Sequence, residues 1–315
     1  MIIEQAPSGP TFLSSFDINQ VDSINSIVGD VDFNITLHQV RLQLDPIRYS
    51  YELRKKLFQD IPNPRLYIPI SGGSKFQKQS FWRVSQYPNL NPSLVQSFSH
   101  PPKYLVQTNR CNIPQHPVLY TSAHFTTAFN EYFTWNKHMC SEYVFLSEWK
   151  MENNVEYFMI PFLTTQPYWD LIQKNMRKMF ELHTEKDYEV FRKVWRKLIS
   201  IFASPKKHIF SSVLSHDLLY DISQLKAFIS YESVEGPGGI NYAFPAYFVN
   251  RFLNLKTVAR VKTKDFRKAP KMGGTFGFSH LGKPKGGMVQ WKRVNKYDSE
   301  IENYLNTMRL ISVDR

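Results

Sequence analysis

Cysteine and long apolar runs are both scarce in this chain of 315 residues. It has two cysteines, Cys111 and Cys140, too few for a disulfide framework and typical of a reducing compartment. No apolar run approaches the roughly eighteen residues of a membrane-spanning helix, and the first residues lack the basic-then-apolar layout of a signal peptide. The sequence therefore favours a cytoplasmic protein that does not insert into a membrane, in which both thiols pack rather than react.

Several motifs that mark cofactor sites or nucleophiles are also missing. The glycine-rich stretches 273–277 and 282–287 lack the Gly-Lys-Ser/Thr ending of a phosphate loop and the strand-to-helix context of a dinucleotide fingerprint, so we predict a flexible basic loop there. Cys111, His138 and Cys140 have no fourth ligand at regular spacing, and no His-Glu-x-x-His occurs, which argues against a metal. A Gly-x-Ser-x-Gly elbow is absent as well.

Acidic residues are few near the C-terminal end. Residues 251–315 contain fifteen Lys or Arg and five Asp or Glu, so they carry +10 of the net charge of +12. A basic surface of this kind, interleaved here with aromatic residues over 256–296, can bind an anionic cofactor, nucleic acid or an acidic protein. Composition does not choose among them, and a solvated basic surface with aromatics packed beneath it is the plainer interpretation.

What the chain has in abundance is material for a core, since 42% of its residues are hydrophobic and 15% aromatic. Composition shifts predict an appended region over residues 1–75, a main domain over 76–262 and a basic extension over 263–315 packed on the main domain. The predicted elements are strands at Leu66–Ile70, Tyr143–Leu146 and Tyr157–Phe162, a long loop over Tyr87–Pro102, two helices within Leu171–Phe202, and a short C-terminal helix over Ile301–Ile311.

The densest pattern of polar residues lies in residues 109–132. We predict a loop that carries Arg110, a strand that ends at Tyr120, and a helix that begins near Ser122 as its N-cap and carries Glu131. A guanidinium, a phenol and a carboxylate would thus follow one strand-to-helix unit.

This stretch resembles the central signature of the RES-domain family, which is named for an Arg, a Glu and a Ser. The resemblance extends from Phe81 to Val261. Its members resemble ADP-ribosyltransferases in fold and consume NAD, commonly as toxins held in check by an antitoxin. The matching residues are Arg83 in Phe81–Val84, Arg110, Asn112–Pro114, Pro117–Tyr120, Thr127-Ala128, Glu131, Tyr220–Gln224 as the start of a late helix, Gly239–Tyr242 and Asn254–Lys256.

The resemblance implies an α+β fold with an ADP-ribosyltransferase-like mixed, mainly antiparallel sheet and flanking helices, and a binding turn that includes Asn241 and Tyr242. One residue departs from the pattern. The Ser of the family's name should follow this turn, but Ala243 and Phe244 stand there. Ser211, Ser212 and Asn241 are candidate substitutes for that hydrogen-bonding group.

The chemistry of NAD cleavage gives each matching residue a role. Breaking the nicotinamide–ribose bond develops positive charge on the ribose, which a carboxylate such as Glu131 can stabilise. Arg83 and Arg110 suit the pyrophosphate, because a guanidinium binds one anion through two parallel hydrogen bonds. Tyr120 would stack on nicotinamide or donate to the ribose.

We therefore predict an enzyme that takes NAD as substrate, without a metal, as a glycohydrolase, a phosphorylase or an ADP-ribosyltransferase, with a possible antitoxin partner. The alternative is a catalytically degenerate RES scaffold that binds nucleic acid or a partner protein through its basic C-terminal region. Taken singly, Glu131 reads as a solvated helix charge, Tyr120 as a buried aromatic and Arg110 as a loop cation. Their combination is what favours the enzyme.

Overall fold

A computed structural model of the chain describes residues 68–70, 74–86, 91–136, 142–153, 155–166, 168–179, 185–203, 209–220, 226–235, 238–262 and 278–294. The strands are β1 (Ile68–Ile70), β2 (Phe81–Ser85), β3 (Val118–Ser122), β4 (Tyr143–Met151), β5 (Tyr157–Phe162), β6 (Ala227–Glu232), β7 (Ile240–Pro245), β8 (Leu253–Lys262), β9 (Phe278–Lys285) and β10 (Met288–Arg293). The α-helices are α1 (Lys75–Lys78), α2 (Phe125–Trp135), α3 (Tyr168–Met179), α4 (Glu185–Phe202), α5 (Ile209–Tyr220) and α6 (Ala246–Phe252), and the 3₁₀ turns are Val95–Phe98 and Lys103–Leu105.

The strands form one sheet in the order β1-β5-β6-β7-β3-β2-β4-β8-β9-β10. Every neighbouring pair is antiparallel except β5 and β6, which are parallel. The prediction of a mixed, mainly antiparallel sheet with helices is confirmed at this level. Strand β7 is buried along its whole length, as expected for a strand covered on both faces.

The sheet is nearly split at its centre, between β2 and β3. These strands pair only at Trp82 and Ser122, whereas β2 pairs with β4, and β3 with β7, over five residues each. Beyond that one pair the facing backbone edges of β2 and β3 diverge, and edge amides and carbonyls need partners of another kind. The sheet therefore consists of two half-sheets joined at one point.

Helices cover the two half-sheets differently. Helices α4 and α5 pack on β5 and β6, where Phe202 stacks on Phe162 with ring centroids 3.9 Å apart. Helix α2 packs on β2 through Phe125 and Phe129, which join Trp82 in a second cluster. The two helices predicted within Leu171–Phe202 are confirmed as α3 and α4. Apolar residues at three- and four-residue spacing give such a helix one apolar face that packs on the core. None of the described helices is long and apolar enough to cross a membrane.

Three local predictions were wrong. Ser122 is the last residue of β3 rather than an N-cap, and His124 caps α2 by accepting from the Thr126 N–H. Phe228 and Ile229, predicted to follow Tyr220–Gln224 in a helix, lie in strand β6, and Tyr220 is the last residue of α5. The glycine-rich stretch 282–287, predicted as a flexible loop, belongs to the hairpin of β9 and β10, which cross-strand pairing holds in register, and the stretch 273–277 lies outside the described residues.

The sheet extends past both predicted domain boundaries. Strand β1 precedes residue 75 and pairs with β5, and the β9–β10 hairpin follows residue 262 and pairs with β8. The rest of residues 1–75, apart from Ser74 and Lys75, lies outside the described part of the chain, as do the predicted helix Ile301–Ile311 and the possible metal ligands His138 and Cys140.

Candidate functional site

A cavity of about 570 Å³ occupies the split between β2 and β3. We call it the split cavity. Its walls are the facing edges of the two strands, the loop before β3, helix α2 and the ends of β6 and β7. Its volume is in the range of small-molecule sites, roughly 300–1,000 Å³. Five of the six predicted site residues line it: Arg83, Arg110, Tyr120, Glu131 and Asn241.

Glu131 enters the cavity from helix α2 and is held by two hydrogen bonds. Its Oε1 accepts from Ser233 Oγ at 2.7 Å and from Asn241 Nδ2 at 2.6 Å. Both donors bind the same oxygen, and within the described ranges no donor bonds to Oε2. The carboxylate is thus fixed in orientation while one oxygen stays available.

The strand register explains how Asn241 reaches Glu131. Asn241 and Ser122 are direct partners across β7 and β3, so their side chains lie on one face of the sheet. Ser122 Oγ donates to Asn241 Oδ1 at 2.6 Å, which leaves the amide nitrogen of Asn241 to donate to Glu131. Because of this series of hydrogen bonds, the Asn241 amide acts only as a donor toward the carboxylate.

Ser233 places a hydroxyl beside Glu131 that was not among the predicted site residues. It directly follows β6, and its backbone N–H donates to Gly239 O at 2.8 Å across the turn. By contrast, Ser211 and Ser212 are buried in α5 and do not line the split cavity. Ser233 was missed because β6 had been predicted as a helix, and a helix would not have brought a residue after Glu232 to the sheet edge.

Phe244, which stands where the family pattern has its Ser, belongs to the core. Its ring packs edge-on against Phe81 and near Phe228, with centroids 5.1 and 4.9 Å away. Tyr242 is fully buried on the same face, and its hydroxyl accepts from Gln79 Nε2 at 3.3 Å. Tyr242 therefore does not reach the split cavity, contrary to its predicted binding role.

Arg110 places a nearly buried positive charge in the cavity wall, since the residue is 6% exposed. Its Nη1 donates to the carbonyl of Phe202 at the end of α4, and its guanidinium lies 5.3 Å from the centre of the Tyr231 ring. No carboxylate in the described part of the chain forms an ion pair with it. A buried cation with so little compensation is costly alone and is stabilised by a bound anion.

Arg83 contributes a second guanidinium from the other side of the split. It projects from β2, is partly buried, and donates from Nη1 to Ser99 O at 3.0 Å. Its side chain also lines a second, neighbouring cavity. The two cations thus come from opposite sides of the split, Arg83 from β2 and Arg110 from the loop before β3, and line one cavity.

The hydroxyl of Tyr120 is used inside the protein. It donates to Asn112 Oδ1 and accepts from the Cys111 N–H, both at 2.8 Å. Burial, together with neighbouring Cys111 and Tyr231, raises its pKa well above the usual value. Its single proton is thus already donated to Asn112, which argues against the predicted donation to a ribose and leaves the predicted stacking on nicotinamide as the alternative. Tyr120 instead fixes the loop that carries Arg110, and only its ring faces the cavity.

Two buried hydroxyls complete the polar lining. Ser85 and Thr121, on the facing strands β2 and β3, line the cavity and are each 3% exposed. Neither hydroxyl has a hydrogen-bond partner within the described structure. Buried hydroxyls are nearly always bonded, so these two groups are suited to form hydrogen bonds with a polar ligand in the cavity.

Cys111, beside Arg110, is not suited to attack a substrate. Its side chain is buried, and that burial raises its pKa to about 12, so the thiol stays protonated near neutral pH. No group of three His, Cys, Asp or Glu side chains that could hold a metal ion is found among the described residues. The reactive inventory of the cavity is therefore carboxylate, guanidinium, amide and hydroxyl.

Comparisons with protein-family models, with curated proteins and with solved structures found no match for this chain. The family resemblance thus depends on the quoted motif residues. Separately from that resemblance, the fold brings Arg83, Arg110 and Glu131 to one cavity although 48 positions separate the first from the last. This convergence is the observation on which a function can be proposed.

Proposed function

We propose that the chain cleaves the nicotinamide–ribose bond of NAD in the split cavity, by hydrolysis, phosphorolysis or transfer of ADP-ribose, on an ADP-ribosyltransferase-like fold. The observation that carries the proposal is the meeting of one oriented carboxylate and two guanidiniums in a single cavity. The RES resemblance, which rests on the same residues, supports the choice of NAD.

Glu131 would act on the ribose. As the bond to nicotinamide breaks, positive charge develops on the ribose ring, and a fixed carboxylate nearby lowers the energy of that transition state. Asn241 and Ser233 hold Oε1, so Oε2 would face the sugar. Fixing the carboxylate before the substrate arrives removes a reorientation cost from the reaction step.

Arg110 and Arg83 would bind the pyrophosphate. Arg110 makes one hydrogen bond to the Phe202 carbonyl, so most of its donors stay available for phosphate oxygens. A doubly charged pyrophosphate between the two guanidiniums would also compensate the buried charge of Arg110. Ser85 and Thr121, whose hydroxyls lack partners in the described structure, would bond to the ribose or the amide of nicotinamide.

The test is turnover of a fluorescent NAD analogue by the pure full chain, with Glu131→Gln beside the wild type. Loss of the charge at this position should lower kcat by about a hundredfold or more, as for other electrostatic stabilisers of a transition state. Glu156→Gln is the matched control, because Glu156 is exposed and outside the cavity.

Two outcomes would contradict the proposal: absence of turnover by the wild type, or turnover by Glu131→Gln equal to that of Glu156→Gln. A toxin role and an antitoxin partner follow from the resemblance, a cytoplasmic location follows from the scarcity of cysteine and of apolar runs, and all three belong to the same proposal. Expression of the wild type and of Glu131→Gln in a bacterial host tests the toxin role, since growth arrest should require the carboxylate of Glu131.

A second candidate function rests on the β9–β10 hairpin. We infer from its charge that it could bind a nucleic-acid backbone, because residues 278–294 contain four Lys or Arg and no acidic residue. The register places Lys283, Lys285 and Lys292 on one face. Binding to single-stranded RNA or DNA that weakens steeply with salt, without response to NAD, would favour this function over the enzyme.

A further inference from the structure

A second cavity, of about 860 Å³, adjoins the split cavity. We call it the loop groove, because the segment from Leu94 to Asn112 with its two 3₁₀ turns forms most of its lining. Arg83 and Tyr120 line both cavities. The groove and the split cavity therefore lie side by side and share these two residues in their walls.

Exposed apolar side chains gather around this groove. In the described part of the chain five large hydrophobic residues are exposed: Leu94 at 38%, Tyr104 at 83%, Leu105 at 58%, Leu171 at 39% and Met288 at 46%. Leu94, Tyr104 and Leu105 line the groove itself. Such clustering of exposed apolar residues is uncommon on a protein surface that has no partner.

Met288 belongs to the same patch. It pairs directly with Leu94 in an isolated bridge, so the two side chains lie next to each other. Backbone hydrogen bonds fix this contact on both sides, from Val95 N to Gly287 O at 3.0 Å and from Val289 N to Ser93 O at 2.8 Å. Four of the five exposed hydrophobic residues thus form one patch on a rigid base.

The charge around the patch has one sign. The stretches 91–130, 238–262 and 278–294 contain ten Lys or Arg and no Asp or Glu. They include every residue of the groove lining except Arg83. They also include Lys103, in the second 3₁₀ turn, and Lys285, which pairs with Met288 across the turn between β9 and β10. Within these three stretches the carboxylates of an occupant would meet Lys and Arg side chains and no Asp or Glu.

We propose that the loop groove docks an acidic polypeptide segment that carries apolar side chains. Aliphatic residues dominate the patch, namely Leu94, Leu105 and Met288, with Pro101 and Pro102 in the groove lining. Bases stack on aromatic rings, of which the exposed patch has one, Tyr104. Apolar side chains of a peptide would fill the groove while its Asp and Glu face Lys103 and Lys285.

The inference concerns a binding surface and does not require the proposed chemistry. A docked segment would contact Arg83 and Tyr120, which form part of the wall of the split cavity. Docking and NAD cleavage are nevertheless measured separately, so the failure of one leaves the other standing.

The experiment is selection of phage-displayed random dodecapeptides on the immobilised full chain, followed by affinity measurement with the free synthetic peptides. We expect enriched peptides that combine Asp or Glu with apolar residues. The variant Leu105→Ser/Met288→Ser should weaken their binding by about tenfold or more, because truncating central interface residues costs over 1 kcal/mol each. Leu171→Ser is the matched control, since Leu171 is exposed on α3 outside the groove.

A second variant guards against a folding defect in the first. Lys103→Glu/Lys285→Glu keeps the apolar patch and should weaken the acidic peptides by a similar factor. The proposal is overturned if no peptide is enriched, if the enriched peptides bind both groove variants as tightly as the wild type, or if oligothymidylate binds and loses affinity in the groove variants while no peptide does.

Discussion

The hydroxyl of Ser233 donates one of the two hydrogen bonds that hold Glu131 Oε1. It positions the carboxylate and need not touch substrate. Removing it in Ser233→Ala should lower kcat for NAD cleavage by about ten- to a hundredfold, because a hydrogen bond to a charged group contributes about 1.5–3 kcal/mol. KM should change little, since pyrophosphate binding is left to the arginines.

Ser230→Ala is the control for that measurement. Ser230 lies on β6, three positions before Ser233, and its buried hydroxyl has no partner in the described structure. Its removal should leave kcat unchanged. A Ser233→Thr variant, which keeps the hydroxyl, should recover most of the activity, and equal kinetics of Ser233→Ala and Ser230→Ala would exclude the positioning role.

Arg110 should be sensitive even to a conservative change. Arg110→Lys keeps the charge but loses the planar fork that binds two oxygens of one anion. We expect KM for NAD to rise about tenfold or more, with a smaller effect on kcat. Steady-state kinetics of the pure variant provide the measurement, and an unchanged KM would remove Arg110 from the pyrophosphate site.

At the scale of the element, helix α5 meets the loop before β3 through two histidines. The rings of His216 and His116 lie 4.5 Å apart, nearly perpendicular. Burial, and next the electrostatic influence of neighbouring His116, lower the pKa of His216 from 6.5 to about 3. The folded protein therefore keeps His216 neutral over a pH range in which the unfolded chain binds a proton.

The free energy of unfolding should consequently decrease as pH falls from 6.5 toward 3, by up to about 1.4 kcal/mol per pH unit from this residue. Denaturant titrations at several pH values measure the slope. In His216→Phe, which cannot bind a proton, the slope over this range should be reduced by about one proton. An identical slope in the variant would mean that His216 is accessible to protons in the folded state.

Regular elements were predictable from the sequence where local patterning agrees with the final packing. The helices α3 and α4 and the strand β5 fall into this group. The β9–β10 hairpin was missed although its signal is present, since Gly286-Gly287 forms a two-residue turn with positive φ at both positions. Strand β6 was missed because the polar stretch Tyr220–Gln224, which precedes it in the sequence, was interpreted as the start of a helix.

The site was predictable in part for a related reason. Arg83, Arg110 and Glu131 lie in recognisable sequence motifs. The position of Ser233 and the split between β2 and β3, by contrast, depend on how the strands pair. The role of Tyr120 depends on Asn112, eight residues earlier, and hydrogen bonds across a loop leave no periodic pattern in a sequence. Non-local contacts thus account for what the sequence could not give.

At the scale of the whole molecule, the basic C-terminal hairpin belongs to the sheet. Leu281 and Val289 are buried in the two core clusters. A chain truncated at Lys262 should lose these contacts and leave β8 as an open edge, so we expect aggregation or a clearly lower melting temperature. A chain ending at Val294 is the comparator, because it retains the hairpin. A stable, monomeric chain ending at Lys262 would show that residues 263–315 are a separate unit.

The split between β2 and β3 also has a mechanical meaning. Two half-sheets joined by a single residue pair can separate there at a lower free-energy cost than strands that are paired along their whole length. A ligand held by Arg83 on one side and Arg110 on the other would fasten the halves together. Binding of such a ligand should therefore slow amide hydrogen exchange in strands that the ligand does not contact. Exchange rates across the sheet would then show whether the cavity is occupied.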